Sequence, residues 1–231
     1  MRSDKLVPRL LRDNAGSVLV ETAIVLVLFF LLALGTVDAT YMFFEWAMAN
    51  KAAHVGARTA VVSNPVDPSL YSNLSYSPSQ LQKIGDACYD SSGDNVNCPA
   101  MNSVCTSTGC SVCNSNGCVG SRYDANSFNT ILTAMKQVFP RLAAQNVRIS
   151  YETNGTGFVG EPYFDNTTCN GCFILPMNVT VSIQCMTHQF FFIDALMGWI
   201  FSPPPNCPTS PKGAPIPAVA TTRQSEDMFT N

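Results

Sequence analysis

Residues 17–37 read SVLVETAIVLVLFFLLALGTV, and twelve consecutive apolar residues, Ala23 to Leu34, make up the centre. Only Ser17, Glu21, Thr22, Gly35 and Thr36 interrupt the apolar character. At about 1.5 Å per residue the stretch forms a helix about 30 Å long, one hydrocarbon thickness. The preceding 16 residues, MRSDKLVPRLLRDNAG, hold four basic residues against two acidic ones, a sum of +2. Residues 17–231 hold nine basic against fourteen acidic, a sum of −5. A basic flank stays cytoplasmic by the positive-inside tendency, so the remainder is expected to be exported.

The helix is not expected to stop where the apolar run stops. No proline occurs between Pro8 and Pro65. Asp38 and Glu45 mark the exit from the bilayer, and ATYMFFEWAMANKAAHVGARTAVV (39–62) keeps a helical pattern. Ala49, Ala52, Ala53, Gly56, Ala57 and Ala60 fall at spacings that place all six on one helix face. Such a stripe of small side chains lets another backbone approach closely, in another subunit or in the chain's own globular part. Tyr41, Phe43, Phe44 and Trp46 suit an interfacial aromatic belt. The competing reading is a secretory signal peptide cut near Val37-Asp38-Ala39. The pattern running unbroken through Ala39 argues against it.

The whole chain has 231 residues, enough for one ordinary domain plus an appendage. Charged residues make up 13%, about half of the usual 25% or so. No clustered Lys/Arg footprint of a nucleic-acid binder is present, and no nucleic-acid partner is expected. The 46% hydrophobic content excludes disorder of the chain as a whole.

All ten cysteines lie in the second part of the chain: Cys88, Cys98, Cys105, Cys110, Cys113, Cys118, Cys169, Cys172, Cys185 and Cys207. An even number in an exported region reads as a disulfide framework. In a reduced compartment, Cys105, Cys110, Cys113 and Cys118 would suit a zinc site instead. Cys169-Asn170-Gly171-Cys172 reads as a tight turn leading into a strand, and less well as a redox pair.

Residues 63–125 read as loop, opened by Pro65 and Pro68. Residues 126–142 form an amphipathic helix capped by Asn126 or Ser127. Its apolar face is Phe128, Ile131, Leu132, Met135, Val138 and Phe139, and Pro140 ends or kinks it. Residues 146–153 alternate as a half-buried strand before an Asn154-Gly155 turn. A second strand runs from Phe173 to Cys185, with Pro176 at an edge or break. Residues 189–201 make a buried or membrane-surface helix, and Ala218–Thr222 a last strand. The fold class is therefore α+β. A long amino-terminal transmembrane helix extends into a small exported domain with an antiparallel sheet, one or two helices and a disulfide-rich loop region. The segments are 1–16, 17–62, 63–125 and 126–231.

Few residues suggest catalysis. His54 and His188 are the only histidines, and His54 reads as structural. No Ser-His-Asp arrangement, phosphate-binding glycine loop or His-rich metal motif is present. No cofactor or metal is expected, and an enzyme is the weaker class. A thiol enzyme would need a reactive Cys110/Cys113 or Cys169/Cys172 pair.

Gly16 followed by Ser17-Val18-Leu19-Val20-Glu21 and an apolar helix resembles the processing signal of type IV prepilins. That resemblance implies a membrane-embedded prepilin peptidase cutting between Gly16 and Ser17. It also implies that Glu21 pairs with a free amino terminus during subunit assembly. Gly35-Thr36-Val37-Asp38, Ala49-Asn50-Lys51-Ala52-Ala53 and Gly56-Ala57-Arg58 extend the likeness. Positions 16–62 are similar to the amino-terminal region of the TadE-like family, pseudopilin-like proteins of tight-adherence pilus systems. Two departures stand out: Thr22 where Tad/Flp pilins often have Tyr, and no proline in the apolar segment. The order of elements after residue 125 also looks like TadE-like and TadG-like exported regions.

The family likeness implies a single-pass inner-membrane protein, amino terminus cytoplasmic and carboxy-terminal domain periplasmic. It implies a minor pseudopilin that takes part in assembling a Tad/Flp-type pilus for adhesion and surface attachment. Its partners would be the inner membrane, a prepilin peptidase, other pilus and pseudopilin subunits and the inner-membrane assembly platform. An uncut, anchored adhesion protein that never enters a filament is the alternative.

Overall fold

The computed structural model describes residues 14–70, 75–76, 102–114, 117–152, 162–165, 169–174, 177–192, 207 and 213–225. Helix α1 runs without interruption from Asn14 to Val62. Its 49 residues extend about 70 Å at the usual rise. Backbone contacts divide the chain into two units, and α1 contributes to both.

The first unit joins residues up to Glu45 with Thr187–Ile216. In its helical part, the large apolar side chains from Val18 to Leu32 are 46–72% exposed. Two short strands complete it, β9 (Thr187–His188) and β10 (Ala214–Pro215), paired antiparallel with His188 opposite Ala214.

The second unit holds Trp46–Met186 and Pro217–Asn231. Its centre is a six-stranded antiparallel sheet in the order β11-β8-β5-β2-β3-β4. The strands are β2 (Asn102–Thr106), β3 (Gly109–Asn114), β4 (Gly117–Ser121), β5 (Val147–Glu152), β8 (Asn178–Ile183) and β11 (Val219–Gln224). A separate three-stranded sheet, order β1-β7-β6, is made by Ser75–Tyr76, Cys169–Ile174 and Pro162–Asp165. Strand β5 alternates buried Val147, Ile149 and Tyr151 with outward Arg148, Ser150 and Glu152, the period-two pattern of a half-covered strand.

Helix α2 (Ala125–Val138) buries Ser127, Phe128, Ile131, Leu132 and Met135. Its cap is Asp124, not the expected Asn126 or Ser127, which both sit inside the first turn. Asp124 Oδ1 accepts from the Asn126 N–H at 2.9 Å, and Oδ2 from the Ser127 hydroxyl at 2.7 Å. A carboxylate outcompetes either neighbour here because it also meets the positive end of the helix dipole. The carboxy-terminal turn closes with the Phe139 N–H on the Met135 carbonyl, just before Pro140.

Three further expectations change. Between Asn102 and Ser121 the loop reading gives way to a meander, β2-β3-β4, inside the main sheet. Short Ser/Gly/Cys-rich strands lack the branched apolar signature of sheet; they pair with one another, and β2 joins them to β5. The expected strand 173–185 is two strands in different sheets, ending at Ile174 and starting at Asn178, on either side of Pro176. Cys169-Asn170-Gly171-Cys172 is strand β7 and not a turn; Tyr163 stands opposite Cys172 and Asp165 opposite Cys169. The partner strand overrides the turn preference of Asn-Gly. Cys88, Cys98, the Asn154-Gly155 turn and residues 193–201 of the expected apolar helix lie outside the described residues; Gln189–Phe192 are not helical.

Buried polar clasps hold the second unit. The Asp67 carboxylate accepts from the Ser103 and Ser121 hydroxyls at 2.6 Å each, and from the Ser69 N–H at 3.0 Å. It ties the chain just after α1 to β2 and β4. The Tyr151 hydroxyl accepts from the Val66 N–H at 3.1 Å. At the far end, Asn146 Nδ2 donates to the carbonyls of Gln184 and Cys185, both at 3.0 Å. That anchors Cys185 at φ 59°, a left-handed conformation unusual for a residue with a Cβ.

Candidate functional site

The amino-terminal helix carries the candidate site. Gly16 and Ser17 lie in its first turns. Glu21 follows Ser17 by four residues, one helical turn, and is exposed. Among the described residues it has neither an ion-pair nor a hydrogen-bond partner. Within this chain the backbone nitrogen of Ser17 lies one helical turn before Glu21.

The small-residue stripe lies in the second unit. Ala49, Ala52, Ala53, Gly56, Ala57 and Ala60 are all buried against the chain's own fold. Gly56 marks the closest approach: a Cβ there would stand 2.6 Å from Met135 Sδ and 3.1 Å from Val181 Cγ1. Sheet and α2 thus meet the helix where it has no side chain. His54 is exposed.

Sequence reading missed a set of polar anchors in the first unit. Asp38, Tyr41 and Glu45 recur at spacings of three and four along α1, which puts them on one face. Asp38 and Glu45, expected only to mark the bilayer exit, are 0% and 2% exposed. Asp38 Oδ1 accepts from the Phe191 N–H at 3.2 Å, and Oδ2 from the Phe192 N–H at 3.0 Å. Glu45 Oε2 lies 2.7 Å from Nδ1 of fully buried His188. Tyr41 sits between them, its ring centroid 5.4 Å from Phe191 and 5.7 Å from His188. Gly213, at φ 153°, passes against the His188 carbonyl, where a Cβ would collide with that oxygen. The 3/4 spacing of Asp38, Tyr41 and Glu45 was the available signal, but their partners lie some 150 residues downstream.

The cysteines fall into place in part. Cys105 and Cys110 face each other across the β2–β3 hairpin and form a disulfide. That removes both from a thiolate zinc set and removes Cys110 as a reactive thiol. Cys113 and Cys118 occupy opposed register positions across β3–β4. Cys185 and Cys207 are each disulfide-bonded.

These features define a class: proteins with one amino-terminal helix long and apolar enough to cross a membrane, running on into an α+β domain. Within that class, residues 16–58 match the family described as TadE-like protein, so the amino-terminal helix is a TadE-like segment. The match starts at Gly16 and ends at Arg58, both within α1. No curated protein and no solved structure matches the chain.

Proposed function

We propose that this protein is a membrane-anchored, minor pseudopilin-like structural subunit that takes part in assembling a Tad/Flp-type pilus. The observation that carries the reading is the TadE-like helix itself. It is unbroken from Asn14 to Val62, with Glu21 exposed near its start and bare apolar side chains through Leu32. Such a helix anchors a subunit in the inner membrane and offers its apolar face to neighbouring helices once extracted. In this reading a prepilin peptidase cuts after Gly16, the Ser17 amine meets Glu21 of an adjoining subunit, and the disulfide-bonded domain faces the periplasm or the cell surface. The role is structural and not catalytic, and its partners are other pilus subunits and the inner-membrane assembly platform.

The test is the mass of the amino-terminal peptide from membrane-extracted protein, together with surface pili in a strain lacking the chain. A peptide starting at Ser17 and a loss of pili are expected. A peptide starting at Met1 overturns the processing step and leaves an assembly factor that stays in the membrane. Unchanged pili overturn the pilus role.

A further inference from the structure

The first unit carries an exposed aromatic knuckle that the anchoring role does not use. Phe191 is 67% exposed and Phe192 54%, although both backbone N–H groups are tied to a buried carboxylate. Exposed rings on a fixed backbone are unusual, because a mobile loop would fold large apolar side chains inward. Here Asp38 holds the backbone of both residues while their rings stay largely exposed, that of Phe191 with Tyr41 against it. Phe43 and Phe44 of α1 are also exposed, and Tyr41 stacks against Phe44 and meets Phe191 edge-on. No charged residue stands between His188 and Asp194.

The position of Asp38 decides what the knuckle touches. Thr22 to Val37, the stretch without a charged residue, spans about 24 Å, most of the thickness of the hydrocarbon layer, with Glu21 just before it. Asp38 is the first acidic residue after that run, and a carboxylate is strongly disfavoured within the hydrocarbon. It therefore lies at the headgroup boundary. Its two hydrogen bonds hold the backbone of Phe191 and Phe192 at the same depth.

We infer that Phe191 and Phe192, with Phe43 and Phe44, form a second membrane contact: an aromatic foot that enters the headgroup–acyl boundary of the bilayer crossed by α1. The occupant is the lipid interface, since the foot continues the uncovered apolar surface of α1 and aromatic rings favour that depth. The foot would fix the tilt and rotation of the helix, so that the loop after β9 rests on the membrane. The inference rests on the membrane-spanning reading of α1.

The experiment uses the full chain in phosphatidylcholine vesicles whose lipids carry bromine either near the headgroups or near the bilayer centre. Phe191→Trp and, separately, Leu28→Trp are placed in a Trp46→Phe, Trp199→Phe background. The expected result is loss of Phe191→Trp fluorescence mainly to the shallow bromines, and of Leu28→Trp fluorescence mainly to the deep ones. Quenching at position 28 without quenching at 191 overturns the foot and leaves the span standing. Lack of quenching at 28 overturns the span and the foot with it. In the otherwise native chain, a photoreactive benzophenone amino acid in place of Phe192 should cross-link to lipid. Cross-linking to protein alone overturns the foot.

Discussion

His188 Nδ1 lies 2.7 Å from Glu45 Oε2, and neither side chain reaches solvent. The two residues are 143 positions apart. Their contact joins a helix that begins in the apolar segment to a two-residue strand far along the chain. The Glu45 carboxylate accepts the hydrogen bond when His188 carries its proton on Nδ1.

Removing one partner is expected to cost more than removing both. His188→Ala removes the ring that meets the buried Glu45 carboxylate and should destabilise the protein by roughly 3–5 kcal/mol. Glu45→Leu combined with His188→Leu removes the need for the pair and should recover most of that loss. Thermal unfolding in detergent micelles measures both. Strict additivity of Glu45→Leu and His188→Leu in the double variant would show that the contact does not couple them.

Gly56 is where α1 comes closest to α2 and β8. Gly56→Ala gains about 1 kcal/mol of helix propensity but overpacks the contact with Met135 by about 1–3 kcal/mol. The expected net result is a loss of stability of about 1 kcal/mol. A more stable Gly56→Ala variant in denaturant unfolding would contradict the close approach.

Asp67 holds three chain segments with one carboxylate. Asp67→Ala removes the shared acceptor of the Ser103, Ser121 and Ser69 hydroxyls and of the Ser69 N–H, and should cost roughly 3 kcal/mol. Ser121→Ala alone removes a single donor and should cost about 1 kcal/mol. Equal effects for the two variants would refute the clasp.

Asp124 introduces a pH dependence. Its carboxyl is held below the ordinary range, first by the Ser127 hydroxyl and then by the N–H groups of Asn126 and Ser127, against an opposing effect of burial. The folded value lies below the unfolded one. The stabilisation is therefore complete above the ordinary carboxyl range and is lost as pH falls through the lowered folded value. Asp124→Ala should cost about 1 kcal/mol at neutral pH. Asp124→Asn should match the native protein at the acid end and fall below it near neutrality. Parallel pH curves for Asn and Asp would remove the carboxylate from the account.

Local pattern was enough for the parts of this protein whose physics is local. The apolar run from Ala23 to Leu34, the small-residue face from Ala49 to Ala60 and the apolar face of α2 each announce themselves by spacing. So do the alternating residues of β5, while residues within positions 16–62 carry the resemblance to the TadE-like family, whose match spans 16–58. A helix or half-buried strand must repeat its apolar side chains at its own period. Tertiary structure decided what has no period. The β2–β4 meander takes its strand character from pairing among its own strands and of β2 with β5, and Cys169-Asn170-Gly171-Cys172 from pairing with β6. Asp38 and Glu45 look like solvent-facing charges beside an apolar helix. They are buried because Phe191, Phe192 and His188 bring hydrogen-bond donors from more than a hundred residues away, and a buried carboxylate is tolerated only where such donors meet it.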